Sequence, residues 1–215
     1  MNRRTFLSAG AVSLIGCAAL RREPGSPRAV AHRGRIPNVP VQTHDGRTVR
    51  FYDDLVRHRI VTVNFMYAEC RNICPGMTQN LAVVQRALGA RVGRDVFMYS
   101  ITLKPEEDTA AVLRAYAADH GVRPGWLFLT GAPDDIETLR RSLGFVDPDP
   151  AVDADTTQHI GVVLYGNDAL DRWAACPALT DPEEMAKYIG WMDGPRKRAR
   201  AQGQSIGTRP PMPIT

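Results

Sequence analysis

Hydrophobic and polar positions alternate along this chain in short, well-separated blocks. Val39 to Thr43 and Arg47 to Phe51 flank His44-Asp45-Gly46 and predict a hairpin, because Asp-Gly supplies the positive φ of a tight turn. Asp53 to Arg57 reads as a short helical turn. Ile60 to Tyr67 is apolar on both faces, the pattern of a buried strand in a parallel sheet. Met77 to Leu88 predicts a helix with Leu81, Val84, Gln85 and Leu88 inward, ended by Gly89 and Gly93. Asp95 to Leu103 is a second strand. Pro105-Glu106-Glu107-Asp108 opens a second helix, with proline in its first turn, carboxylates at the positive end of the dipole, and Val112, Leu113 and Tyr116 buried. Trp126 to Thr130 predicts a short strand and Asp134 to Leu143 a helix. An Asp- and Pro-rich loop, Asp147 to Gln158, leads to a strand hairpin of Ile160 to Tyr165 and Leu170 to Ala174 around Gly166-Asn167-Asp168. The last helix, Asp181 to Trp191, carries Thr180 and Glu183 in the spacing of a capping box.

Strand, helix, strand, helix, then a strand hairpin and a final helix is the order of an α/β fold with a thioredoxin-like central sheet flanked by helices. An N-terminal β-hairpin and an extra helix–strand region are added to it. Right-handed crossovers bring the ligand-bearing strand ends to one edge of such a sheet. The first strand–helix junction then holds Cys70 and Cys74, and the loop carrying His159 lies across from it.

Those three residues are the candidate chemistry. Two thiols at a helix N-terminus meet unpaired N–H groups and the positive end of the dipole, which favour thiolate, and the thiolate is both nucleophile and metal ligand. Two thiolates and an imidazole form a soft, three-ligand set that suits copper. Structural zinc would want a fourth ligand, from Cys176 or an Asp. A disulfide between Cys70 and Cys74 would close too small a loop to stabilise much. Met66 and Met77 flank the cysteines as soft sulfurs, although methionine more often fills a core. Cys176 reads as a small buried hydrophobe or as a further thiol near the site. His32, His44, His58 and His120 carry no assigned role.

Composition sets the remaining bounds. The 215 residues are 44% hydrophobic, enough for one ordinary core. The formal charge of +4 is local: Arg196, Lys197, Arg198, Arg200 and Arg209 follow Gly194 with no acid among them, and +4 less these five leaves the body at about −1. The cations lie on a Gly- and Pro-rich stretch rather than a folded face, which argues against a nucleic-acid partner and for a disordered tail.

At the other end, Arg3-Arg4-Thr5-Phe6-Leu7 followed by the mild apolar stretch Ser8 to Ile15 resembles a twin-arginine export signal. Two processing sites compete. Leu14-Ile15-Gly16-Cys17 has the form of a lipobox, which would leave a lipidated Cys17 tethered to a membrane; Ala29-Val30-Ala31 is an ordinary small-x-small cleavage site. The lipobox is favoured because Cys17 directly follows the apolar stretch. The expected organisation is residues 1–31 as export signal and linker, 32–193 as the folded domain, and 194–215 as a basic tail. Export to the periplasm makes disulfide, dithiol and metal-bound states of Cys70 and Cys74 all accessible.

Four motifs together make a resemblance specific: Asn64-Phe65 leading to Cys70-Arg71-Asn72-Ile73-Cys74-Pro75, Pro105-Glu106-Glu107-Asp108-Thr109, Trp126-Leu127-Phe128-Leu129-Thr130-Gly131, and His159 before Ile160-Gly161-Val162-Val163. Over roughly residues 39 to 193 the chain resembles the Sco/SenC family of copper-binding assembly proteins. Three residues between the cysteines, followed by proline, separate that family from thioredoxins, whose gap is two. The resemblance implies copper held by Cys70, Cys74 and His159 and carried to a client such as cytochrome c oxidase subunit II. It also implies, as the alternative, a thiol–disulfide oxidoreductase that keeps such a client's cysteines reduced through Cys70 and Cys74. A thioredoxin-like peroxidase is a weaker option, lacking the Thr-x-x-Cys context. The chain departs from the family twice: Lys104 stands where an Asp usually precedes the proline, and Gln158 where an Asp usually adjoins the histidine.

Overall fold

The computed structural model describes residues 28–30, 36–70, 72–155 and 161–194. The expected export signal, Cys17 and the basic stretch after Gly194 lie outside them.

The sheet grows from the most apolar segment. Strand β4 (Ile60–Met66) is buried at every position, which requires cover on both faces and neighbours on both edges. It pairs in parallel with β5 (Val96–Thr102), which pairs in parallel with β6 (Trp126–Thr130). On its other edge β4 runs antiparallel to β7 (Val162–Asn167), which pairs with β8 (Arg172–Pro177). The expected N-terminal hairpin, β2 (Pro40–Thr43) and β3 (Thr48–Arg50), attaches through β2 to β6. A short strand β1 (Arg28–Val30) lies beside β8, completing the order β1-β8-β7-β4-β5-β6-β2-β3.

The period-2 alternation of these strands divides the core in two. Met66, Met98, Trp126, Phe128, Val163 and Tyr165 face helices α1 (Ile73–Leu88), α2 (Ala110–Asp119) and α5 (Pro182–Gly190). Val61, Val63, Phe65, Tyr99, Ile101 and Leu129 face the helical turn Phe51–Val56 and helix α3 (Pro133–Ser142). A fully buried side chain of this size contributes about 1.5–3 kcal/mol relative to exposure. Together the two layers fix which edge of the sheet the connecting loops must occupy. Two of the connections at the opposite edge meet at Gly93 and Gly125. A Cβ on Gly125, whose φ is +93°, would sit 2.4 Å from the Gly93 nitrogen, so only glycine fits there.

Several boundaries differ from expectation, each for a local reason. Helix α1 starts at Ile73, four residues early, and so takes Cys74 into its first turn. Helix α2 starts late, capped by Thr109, whose side chain accepts the Val112 N–H. Pro105 to Asp108 therefore forms turns outside the helix, and Asp108 is buried. The cap of α5 is Asp181, which accepts the N–H groups of Glu183 and Glu184, so the capping box on Thr180 is corrected by one residue. Asp147 to Asp155 is no plain loop. Asp149 caps a short helix α4 (Pro150–Ala154), and Arg140 of α3 grips Asp153 at 2.6 Å and donates to the Phe145 carbonyl. The Arg140 guanidinium holds the Asp153 carboxyl well below the usual range. The chain entering residue 156 is thus anchored to α3.

Candidate metal centre

Cys70 and Cys74 sit where β4 gives way to α1, at the edge carrying the carboxyl ends of the parallel strands. Both carry reduced thiols and both are buried, Cys70 4% and Cys74 0% exposed. The helix N-terminus acts on them unequally. Burial raises the Cys70 thiol, but hydrogen bonds from the Cys74 thiol, the N–H groups of Cys74 and Asn72 and the Tyr67 hydroxyl outweigh it and bring it below its ordinary value. Cys74 goes the other way: burial and its bond to Cys70 push it far up. The expectation of two thiols favoured as thiolate is therefore met at Cys70 alone, because the N–H groups of Asn72 and Cys74 at the start of α1 are directed at Cys70 in the loop before it. A thiol donating to a neighbouring sulfur places both sulfurs within reach of one ion.

The surroundings hold this pair in place. Burial, together with the bond to Cys70, pushes the Tyr67 hydroxyl up to about 12. Below it, Asp108 Oδ2 accepts the Ala68 N–H at 3.0 Å and the Thr102 hydroxyl at 2.5 Å, so one buried carboxylate ties the cysteine loop to the end of β5. Asp108 thus serves not as a first-turn carboxylate of α2, as its place after Pro105 predicts, but as a buried acceptor. Lys104 places Nζ 4.9 Å from the centre of the Tyr67 ring and pairs with Glu107 at 3.1 Å. The departure from the family pattern at Lys104 thus lies on the rim of the site, as a cation–π contact.

The sulfurs of Met66 and Met77 belong to the core. Both residues are 0% exposed, and the Met77 sulfur accepts from Asn64 Nδ2 at 3.8 Å, in a buried chain that continues through Ser100 to Trp126. Cys176, on β8, is also buried; desolvation moves its thiol up to about 11, which is the behaviour of a small hydrophobe.

His159 falls in 156–160, outside the described residues. The residues on either side are described, and each bears on the surroundings of the cysteines. The charge of Asp155 acts on the Tyr67 hydroxyl. Gly161 abuts Ile73, so closely that a Cβ there would come 2.3 Å from Ile73 Cδ1. Among the described residues no cluster of three or more His, Cys, Asp or Glu side chains could hold a metal ion. Among them, too, no helix is long and apolar enough to cross a membrane.

Fold and site together define a thioredoxin-like protein with an unequal, buried dithiol at the first strand–helix junction. The SCO1/SenC family model matches residues 41–193, and the chain belongs to that family. A SCO1 protein homolog of Bacillus subtilis is 28% identical over 126 residues, which is 58% of this chain and 62% of that protein. The match thus spans about three fifths of that relative's length. The structure of Bradyrhizobium japonicum ScoI with copper bound superposes with a TM-score of 0.59 at 22% identity, covering 79% of this chain and 99% of the other. A structure of BsSco, described as a member of the Sco family of cytochrome c oxidase assembly proteins with a disulfide switch, gives 0.59 at 21% identity over 78% and 95%.

Proposed function

We propose that this protein is an exported metallochaperone that carries copper on Cys70, Cys74 and His159 and delivers it to a copper site such as that of cytochrome c oxidase subunit II. The observation that carries the reading is the hydrogen-bonded thiol pair, with Gly161, just after 156–160, abutting Ile73 beside Cys74. Two thiolates and an imidazole suit Cu(I), which tolerates low coordination. Copper is cargo here. The thiols lie at the end of the sheet, where β4 gives way to α1, and an incoming client ligand would replace them one at a time. Family membership and a copper-bound structural neighbour support the reading.

The alternative is a thiol–disulfide oxidoreductase, favoured by the inequality of the two thiols. The Cys70 thiolate attacks a client disulfide, forms a mixed disulfide and releases one client thiolate. Cys74 then loses its proton, attacks the Cys70 sulfur and releases the second. Client cysteines gain two electrons and the chain leaves with a Cys70–Cys74 disulfide.

Titration of the reduced full-length chain with Cu(I) under anaerobic conditions is expected to show one ion per chain. His159→Ala should weaken binding by about tenfold or more yet leave reduction of a model disulfide intact. Undiminished affinity in that variant would remove His159 from the ligand set; dithiol activity without copper binding would favour the oxidoreductase.

Export by the twin-arginine route and lipidation at Cys17 complete the proposal, on the sequence Leu14-Ile15-Gly16-Cys17. Mass spectrometry of the processed N-terminus is expected to find a lipid-modified Cys17. A chain starting at His32 would assign the cut to Ala29-Val30-Ala31 instead.

A further inference from the structure

We propose that Tyr67 is a positioning residue for the dithiol: its hydroxyl, on a ring covered by Lys104, favours the reduced form of the Cys70–Cys74 pair. It thereby sets how readily a thiol of a client or a small molecule opens the disulfide. This role rests on the dithiol of the proposed function and not on copper.

Of the four donors to the Cys70 sulfur, two are backbone N–H groups at the start of α1 and one is the partner thiol. The Tyr67 hydroxyl is the donor that side-chain identity outside the pair decides. Tyr67 is 7% exposed and meets Cys70 twice. Its carbonyl accepts the Cys70 N–H at 3.3 Å, closing a turn, and its hydroxyl donates to the sulfur. The residue after it is tied down as well, because the Ala68 N–H donates to Asp108 Oδ2 at 3.0 Å. On the facing segment, the Lys104 N–H donates to Thr102 Oγ1 at 2.9 Å, and Thr102 donates in turn to that same carboxylate oxygen. The backbones bearing Tyr67 and Lys104 are thus fastened to one buried group. From there Lys104 places Nζ 4.9 Å from the ring centre, steadied by Glu107 at 3.1 Å. A cation on the face draws electron density from the ring and strengthens the phenol as a donor.

This hydrogen bond discriminates between the two redox states. A reduced sulfur that carries charge, or shares a proton with its neighbours, accepts strongly; a disulfide sulfur is neutral and accepts weakly. Whatever donates to Cys70 therefore favours the dithiol, and a more stable dithiol means a more oxidising disulfide. Little water competes at so buried a sulfur, which adds weight to each donor. With glutathione as reductant, the Cys70–Cys74 disulfide and two glutathione thiols give the dithiol and one glutathione disulfide. Two electrons and two protons pass to Cys70 and Cys74. The Tyr67 bond draws that equilibrium toward the dithiol.

The equilibrium constant is measured in glutathione buffers by thiol trapping and peptide mass spectrometry, on the metal-free full chain carrying Cys17→Ser. Tyr67→Phe keeps the ring and its Lys104 contact and removes only the hydroxyl. It should lower the constant about tenfold, which is about 30 mV toward a more reducing pair. Lys104→Gln should lower it about threefold, and Lys104→Arg should keep the wild-type value. In the Tyr67→Phe background Lys104→Gln should add nothing further. A hydroxyl that only fills space would alter the melting temperature of Tyr67→Phe and leave the constant unchanged, and that result overturns the proposal. If Tyr67→Phe loosens the fold, Lys104, whose side chain is 31% exposed, still decides: a constant indifferent to Lys104→Gln overturns it. Equal effects of Lys104→Gln in both backgrounds overturn the part given to Lys104, since the cation would then act on the sulfur directly. A wild-type chain that binds no copper yet shows the Tyr67 shift would fail the metallochaperone reading and support this role. A chain forming no Cys70–Cys74 disulfide overturns this role and the oxidoreductase alternative together.

Discussion

Serine at both Cys70 and Cys74 is expected to abolish copper binding by the reduced chain, a loss of about a hundredfold or more in affinity, because among the described residues no other soft donor is placed to replace two thiolates. Met66 and Met77 are the nearest candidates in sequence, but both are sealed in the core and the Met77 sulfur is already bonded to Asn64. The single changes should differ in their effect on folding. Cys70 lies in the loop, among donors that a serine oxygen can equally accept from. Cys74 is 0% exposed within an apolar layer, where a hydroxyl meets partial compensation and costs about 1–3 kcal/mol. Cys74→Ala separates the two consequences, since it removes the ligand without burying a polar group. Cuprous titration followed by thermal unfolding of each variant checks both. One equivalent of copper retained by the double variant would sink the assignment of the site.

Asp108→Ala should be the most destabilising single change near the site, by about 3 kcal/mol, because it strands the Ala68 N–H and the Thr102 hydroxyl in a buried setting. Asp108→Asn should cost much less. A single oxygen, Oδ2, accepts both bonds, and an amide oxygen can take its place. The sign of the pH dependence distinguishes this carboxylate from those on the surface. Burial raises its pKa above the unfolded value, against the opposing bonds from Thr102 and Ala68. Its contribution is therefore fully present below the unfolded pKa and is lost as pH rises through the folded one. Asp45 behaves oppositely: its bond to Arg47 lowers it to about 2, so its contribution is present above the unfolded pKa and lost as pH falls through the folded one. Wild type minus Asp108→Asn, in unfolding free energy across the acidic range, should thus become less favourable to wild type as pH rises. A difference independent of pH would show that Asp108 has the same pKa folded and unfolded, as when water relieves its burial.

The alternation of apolar residues was enough to give every major strand, because period-2 and period-3.6 patterns are local properties of the chain. Ile60 to Tyr67 could only be a central strand, and the Cys-x-x-x-Cys-Pro spacing after it marked the chemistry without any structure. Boundaries were harder. The start of α1 depends on how Ile73 and Cys74 pack beneath neighbouring strands, and Asp181 wins the cap of α5 from Thr180 through backbone geometry that composition does not record.

What the sequence by itself determined is the set of residues available for chemistry: two thiols, one late imidazole, a buried strand order that brings strand ends to one edge, and a basic stretch with no acids. The tertiary structure alone decided how the two thiols differ, since burial raises both but four donated bonds outweigh it at Cys70, whereas the bond from Cys74 to Cys70 adds to it at Cys74. It also decided that Asp108 ties the cysteine loop down from below, that Met77 is spent on Asn64, and that Lys104 lies over the Tyr67 ring. The physical reason is the same in each case. Desolvation and hydrogen bonding depend on which groups the folded chain brings together, near in sequence as Tyr67 and Cys70 or 40 residues apart as Ala68 and Asp108, and no apolar period encodes that.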